Sequence, residues 1–312
     1  MRKRTVVLTS YIRPEMTKRS IEKISSWKGL NQLVVVIDGL RPGATDQEAL
    51  WRQETISIVE SFNSLSNLEL WVYSDNIGIT EHTLRLQFRS LTLDEFPILL
   101  EEDIDLDLDE FNYLDSSAGF NLFHPTLRSG FSHFDHPRRS SLTFKGNLFL
   151  PLWGLSYNAA LVELVQKTWK DKKYSPKIVT NTLAKVFSSR NHSLLLYRRR
   201  MEKFWVEYMS WAFINRSRWD ALANYSLWTK GLFSSSAINR LANDISFTDV
   251  RGMNQRTQPS PTPLHTLKEI NVDGITFCED CEIAGSRISR SFRTRVANSL
   301  NYRVAKLGLR KD

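Results

Sequence analysis

Ile98-Leu99-Leu100-Glu101-Glu102-Asp103-Ile104-Asp105 sets four acids directly behind an apolar run. Phe96–Leu100 (FPILL) reads as a short buried strand, so the acids stand at its carboxyl end. Working back from it, Thr80–Leu91 reads as a helix and Leu68–Tyr73 (LELWVY) as a strand. Asp46–Phe62 reads as a helix with Leu50, Trp51, Ile56 and Val59 inward. Leu33–Ile37 (LVVVI) is a second buried strand, closed by Asp38-Gly39. Pro14 suits a first helical turn, and the helix it opens runs to about Trp27 with Met16, Ile21 and Ile24 inward. Thr5–Thr9 (TVVLT) is the first strand. Strands alternating with helices in this way mean βαβ units, hence an α/β fold with a mainly parallel sheet flanked by helices. Right-handed crossovers gather the loops after the strands at one edge. Ser10–Arg13, Asp38–Arg41, Ser74–Gly78 and Glu101–Asp105 are therefore expected to converge there.

Beyond residue 115 the pattern loosens. Three parts are expected: 1–115, the βαβ half; 116–250, the second half of the same domain; and 251–312, a linker or lid with a C-terminal helix. In the second part, Leu148–Trp153 is apolar, and Ser156–Trp169, Lys177–Phe187 and Met201–Phe213 are helix candidates. Residues 254–266 (NQRTQPSPTPLHT) have the composition of a linker. Ile288, Phe292, Val296, Leu300, Val304 and Leu307 fall at helical spacing among eight Lys/Arg and one acid, a basic amphipathic helix. Such a helix can lie on an anionic membrane or pack its stripe on the domain.

The 312 residues, 41% hydrophobic and 24% charged, describe an ordinary globular chain with a substantial core. No apolar run approaches the roughly 20 residues of a spanning helix, and Thr5–Thr9 is too short for a signal-peptide core. We therefore expect a cytoplasmic protein, with a peripheral membrane contact open to the C-terminal helix. Cys278 and Cys281 make half a zinc site with no His pair at finger spacing. They read as two thiols in a late loop or hairpin, or as a redox pair.

The net charge is +8. Residues 94–115 hold ten acids and no Lys or Arg, which leaves the remainder at +18. An acidic pocket in a basic protein suits a cation beside a polyanionic ligand such as a nucleotide diphosphate. Nucleic acid or an anionic membrane would also suit the basic remainder, but no nucleic-acid motif is present, and the acids alone would repel phosphates. No nucleic-acid partner is expected.

Carboxylates crowded behind a buried strand repel one another, and desolvation adds to the cost. A divalent cation relieves both, and hard oxygen ligands suit Mn2+ or Mg2+. Here the sequence resembles the GT-A (Rossmann-like) glycosyltransferases, and within them the N-acetylglucosaminyltransferase I type. The segment 98–105, followed by Asp109-Glu110-Phe111-Asn112-Tyr113, is similar to that family's strand, acidic triplet and following helix. The family pattern is Glu-Asp-Asp, and here Glu102 stands in the middle. The resemblance implies a metal-dependent transferase with a nucleotide-sugar donor, a UDP-sugar and within that class UDP-GlcNAc. Its acceptor would be a glycan, a lipid-linked sugar or a protein, and the reaction would proceed with inversion. It implies Asp103 as direct metal ligand, with Asp105 completing the DXD pattern, and Glu101 and Glu102 facing the nucleotide sugar. It places Arg13 near the donor phosphates and Asp38 on the base, with Asn76 in the shared Asn76-Ile77-Gly78 turn. Phe149–Leu155 resembles an acceptor-side segment.

An inverting transferase needs a carboxylate to deprotonate the acceptor hydroxyl. Phe204-Trp205-Val206-Glu207-Tyr208-Met209 resembles the family segment that supplies it, which nominates Glu207; Glu202 and Asp220 are rivals. His82, Arg85 and Arg89 share one helix face, to contact the diphosphate or to lie in water. His124, His133, Asp135 and His136 suit an acceptor loop, with Arg138 and Arg139 beside it, or a second metal site. His265, Arg251 and Arg256 can act from the lid. Trp153, Trp205 and Trp211 can stack on sugar rings or serve the core. Two other readings remain: a nucleotidyltransferase, although Ser10-Tyr11-Ile12-Arg13-Pro14 has no glycine, and a non-catalytic binding module.

Overall fold

The computed structural model describes residues 4–106, 125–129, 154–171, 174–186 and 218–237 as continuous stretches. Shorter described pieces are 114, 144–147, 202–203, 205–210, 212–213, 242–244, 269–272 and 275–278. The first hundred residues alternate as the sequence predicts: β1 (Arg4–Ser10), α1 (Pro14–Ser25), β2 (Leu30–Ile37), α2 (Asp46–Ser61), β3 (Leu68–Val72), α3 (Ile79–Ser90) and β4 (Ile98–Glu101). After them come β5 (Ile104–Leu106), β6 (Leu127–Ser129), β7 (Phe144–Asn147), β8 (Leu155–Tyr157), α4 (Ala159–Asp171), α5 (Pro176–Val186) and α6 (Trp219–Thr229). The series ends with β9 (Ser234–Ala237), β10 (Ala242–Asp244), β11 (Glu269–Val272) and β12 (Ile275–Cys278).

The main sheet runs β11-β12-β7-β9-β6-β8-β4-β1-β2-β3. Its β4-β1-β2-β3 flank is entirely parallel, with Val6 beside both Leu33 and Ile98. The direction reverses at β8, which pairs antiparallel to β4 through Ile98↔Ser156 and Leu99↔Leu155. Beyond β8 parallel and antiparallel pairings mix.

Alternation along each parallel strand sorts the core into two layers. Val6, Leu8, Leu33, Val35, Ile37, Ile98 and Leu100 face Ile21 and Ile24 of α1 and Ile56 and Val59 of α2. Val7, Val34, Val36 and Leu99 face Leu84 and Leu86 of α3, Leu161, Val162 and Val165 of α4, and Trp219 and Leu222 of α6. With both faces covered, these strands are continuous apolar runs rather than alternating ones.

One fully buried cation ties β1 to β4. Arg4 donates from Nη1 to the Phe96 carbonyl at 3.3 Å and lies 3.5 Å from Asp94 Oδ1. Asp94 in turn accepts from the backbone N–H groups of Thr5 and Phe96, each at 2.9 Å.

Four expectations need correction. Leu50 is 65% exposed: it stands six positions before Ile56, about 240° away round the helix, so Glu48 and Thr55 complete the inner face instead. Helix α6 falls outside the predicted helices. Ten consecutive residues of it, Trp219–Trp228, are buried, and a helix buried all round shows no amphipathic period. Ile104–Leu106 is a strand paired antiparallel to β10, not a loop. Finally, the described part of 251–312 is the hairpin β11–β12, which adds to β7. Its alternating Ile270, Val272, Ile275 and Phe277 around Asp273-Gly274 are a hairpin signal. The linker 254–266 and the basic helix at 288–307 lie outside the described residues.

Candidate functional site

The four loops that follow the parallel strands meet at one edge of the sheet. The Asp38 N–H donates to the Ser10 carbonyl at 3.3 Å, and the Glu102 N–H to the Thr9 carbonyl at 3.1 Å. Leu40 bridges to Asp75. The β1, β2, β3 and β4 loops are thereby joined in series.

On one side stand the acids. Arg13 leads into α1, whose first turn opens on Pro14. Its Nη1 donates to Asp103 Oδ2 at 2.6 Å, and its Nε lies 3.7 Å from Glu102 Oε1. All three side chains are largely buried. The Ser20 hydroxyl donates to the Glu102 carbonyl at 3.2 Å and holds the acid turn against α1. Asp105 faces elsewhere: Lys23 Nζ lies 2.8 Å from its Oδ1 and Arg19 Nη2 3.1 Å from its Oδ2. Glu101 is half-buried at the end of β4, beside Thr9 across the β1 pairing. Arg13, Glu101, Glu102, Asp103 and Asp105 are thus brought together, but Asp103 and Asp105 are turned to different cations. Sequence reading missed Arg19 and Lys23, whose signal was their spacing of four on one helix face.

On the other side Asp38 is the hub. Its Oδ1 accepts from the Gly39 N–H at 2.8 Å, and its Oδ2 from Asn76 Nδ2 at 3.0 Å. Asn76 also donates to the Gly39 carbonyl and accepts from the Gly78 N–H. Arg52, unforeseen in the sequence, donates to the carbonyls of Asp38 at 2.8 Å and Tyr73 at 2.7 Å. Gly39 packs so closely on Asp75 that a Cβ there would stand 2.3 Å from the Asp75 carbonyl carbon. His82 Nδ1, 3.1 Å from Asp38 Oδ1, lies outside hydrogen-bond geometry and has no other partner among the described residues.

The face formed by His82, Arg85 and Arg89 lies on the edge strand. His82 meets the Tyr73 ring edge-on, Arg85 sits 4.9 Å over that ring, and Arg89 sits 3.6 Å over Trp71. Cation–π contacts of this kind hold the guanidinium groups on aromatic faces. Arg85 accordingly stands on the Asp38 side and is not drawn to the acid turn.

Glu207 lies in the helical stretch 205–210, largely buried beside Trp205, Val206 and Met209 of a third core cluster. Trp205 belongs to that core, edge-on to Tyr208 and Trp228. Asp220, in the first turn of α6, is also buried, and the Tyr208 hydroxyl approaches its Oδ2 at 3.4 Å. Burial raises the Asp220 carboxyl above the usual range, with the nearby Arg218 charge opposing the shift. Burial and the Asp220 charge likewise raise the Tyr208 phenol, which stays protonated as a donor. His124, His133, Asp135, His136, Arg138, Arg139, Trp153, Trp211, Arg251, Arg256, His265 and Cys281 lie outside the described residues.

No protein family matches the chain, and no curated protein does. Among solved structures it is similar to the mannosyltransferase PcManGT from Pyrobaculum calidifontis in complex with GDP-Man and Mn2+. That match has 17% identity and a TM-score of 0.37, covering 52% of this chain and 46% of that one. A second is TarS of S. aureus, at 16% identity and a TM-score of 0.35, covering 52% and 48%. The chain spans about half the length of each. Likeness at this level carries no functional argument. No helix among the described residues is long and apolar enough to cross a membrane.

Proposed function

We propose that this chain is a glycosyltransferase that takes a nucleotide-sugar donor at the carboxyl edge of its parallel strands. The observation that carries this reading is the meeting of four strand-end loops there, with Arg13 held between Glu102 and Asp103 on one side and Asp38 fixed by Asn76 on the other. Ligands of open α/β sheets bind outside the carboxyl ends of the strands. Arg guanidinium groups bind phosphate oxygens through paired N–H donors, and Arg13 would take the diphosphate by exchanging part of its hold on Glu102 and Asp103. In this reading Arg13 faces the donor phosphates, Asp38 and Asn76 the base, and Glu101 and Glu102 the sugar. A UDP-sugar is the donor class proposed, UDP-GlcNAc being the first to test. The acceptor is a glycan, a lipid-linked sugar or a protein.

Carboxylate oxygens are suitable donors for Mn2+ or Mg2+. As arranged here, Asp103 gives its charge to Arg13 and Asp105 to Arg19 and Lys23, so the two do not form one ligand set.

The test is calorimetric titration of UDP into wild type and Asp103→Ala, with Mn2+ and with EDTA. Wild type is expected to bind. Asp103→Ala is expected to lose at least about tenfold in affinity, the value of roughly one charge-assisted hydrogen bond. A loss in the mutant with EDTA making no difference assigns Asp103 to holding Arg13. A loss in both assigns it to a metal. If UDP, GDP, CMP and dTDP all fail to bind wild type, the reading is wrong.

A further inference from the structure

We propose that Asp220, rather than Glu207, is the base that deprotonates the acceptor hydroxyl, with Tyr208 as the residue that positions it. The inference rests on the transferase reading above and adds its acceptor side.

The topology carries the argument. β8 is antiparallel to β4, β6 is antiparallel to β8, and β9 is parallel to β6. β9 therefore runs in the direction of β4. α6 ends at Thr229, and only residues 230–233 separate it from Ser234 at the start of β9. The carboxyl end of α6 is thus at the amino edge of the sheet. Eleven residues of helix span about 16 Å, which returns its first turn to the carboxyl edge, where the four donor-side loops meet. α6 packs on the sheet face it shares with α3 and α4, where Trp219, Leu222 and Leu227 join the core layer of Val7, Val34, Val36 and Leu99.

A carboxylate buried at this place costs free energy. Among the described residues, the titratable or charged groups facing it are Tyr208, from the helical stretch 205–210, and Arg218, on its own chain. The phenol and the backbone N–H groups of Ala221 and Asp220 are neutral donors, so the carboxylate is oriented but not neutralised by them. That is the environment of a base: burial makes the carboxylate a better proton acceptor than one in water. Glu207 is also buried, and its neighbours Trp205, Val206 and Met209 share the third core cluster with Ala221, Tyr225 and Trp228 of α6, so the variants below compare the two carboxylates directly.

The step balances as follows. The acceptor oxygen forms its bond to the anomeric carbon of the donor sugar while its proton passes to Asp220. The bond from that carbon to the diphosphate oxygen breaks, and its electron pair leaves with the nucleoside diphosphate. Asp220 then returns the proton to solvent.

With the acceptor unidentified, water serves in its place. The experiment follows UDP release from UDP-GlcNAc by the full chain between pH 5 and 9, in wild type, Asp220→Asn, Glu207→Gln and Tyr208→Phe. UDP affinity and Tm are measured on each. Asp220→Asn is expected to lose at least about 100-fold in release, the usual range for a general base, with UDP affinity within about threefold of wild type. Its Tm at pH 8 is expected to rise. The raised folded-state carboxyl means that stability falls as pH climbs above the ordinary carboxylate value, and Asn removes that penalty. The Tm gain should shrink towards pH 4. Tyr208→Phe removes a donor to the charged form and is expected to move the acidic limb of the rate profile to higher pH.

Four results overturn the inference: undiminished release by Asp220→Asn; a loss confined to Glu207→Gln; a fall in Tm for Asp220→Asn at pH 8, which would make the carboxylate structural; or no release by a wild type that binds UDP. A wild type that binds no nucleotide overturns the transferase reading itself, a separate failure.

Discussion

Asp94→Ala should cost the fold about 3–5 kcal/mol, the usual penalty for removing one partner of a buried ion pair. The carboxylate stands 3.5 Å from Arg4, a cation with no solvent exposure. It also accepts the backbone N–H groups of Thr5 and Phe96. Alanine would take one carboxylate from a buried charge and leave two backbone donors to find new partners. The check is urea unfolding: the midpoint should fall with an unchanged slope. Arg4→Met in the same chain should recover much of the loss, because a buried pair replaced by apolar groups is often neutral. A loss below about 1 kcal/mol for Asp94→Ala would mean that the Arg4 charge is met by its other contacts.

Gly39→Ala is the second large effect expected. The added Cβ would stand 2.3 Å from the Asp75 carbonyl carbon and 2.5 Å from the Asn76 nitrogen. Both are backbone atoms, so no side chain can rotate away. The loops after β2 and β3 must then separate, and the Asn76 bonds to Asp38 and to the Gly39 carbonyl break with them. Overpacking of this kind costs about 1–3 kcal/mol. UDP affinity should fall by more than the stability loss suggests, since Asp38 loses its orientation. Wild-type affinity in Gly39→Ala would remove Asp38 from the donor site.

Much of this architecture was legible because the first half obeys local rules. Five apolar residues in Leu33–Ile37, mostly β-branched and closed by Asp38-Gly39, read as a strand buried on both sides, and Met16, Ile21 and Ile24 mark the face of α1 that the sheet covers. The convergence of Arg13, Asp38, Asn76 and the acid turn followed from crossover handedness alone. The pairing inside that site did not follow. Whether Asp103 meets Asp105, Arg13 or a cation depends on the rotation of α1 against the acid turn, which no spacing in the acid segment encodes. α6 was illegible for the opposite reason: burial on every side erases the period that reveals a helix. Its Asp220 was legible only as a rival to Glu207, with nothing in the spacing to rank the two. The hairpin β11–β12 carries a readable Asp-Gly signal between two short alternating runs.

The antiparallel seam between β4 and β8 also sets a timetable for synthesis. Every strand of the parallel flank has been synthesised once Glu101 is made, whereas β12 awaits roughly 170 more residues. At about 5–20 residues per second that is a delay of roughly 10–35 s. The parallel flank is therefore made well before α4 and α6, which cover one of its two faces. Throughout the first part of that interval, until Leu155–Tyr157 emerges, Ile98–Leu100 is an uncapped apolar strand edge, the kind of surface on which nascent chains pair with one another. Soluble yield from this chain should respond to the rate of elongation between residues 101 and 157 more than to any other stretch.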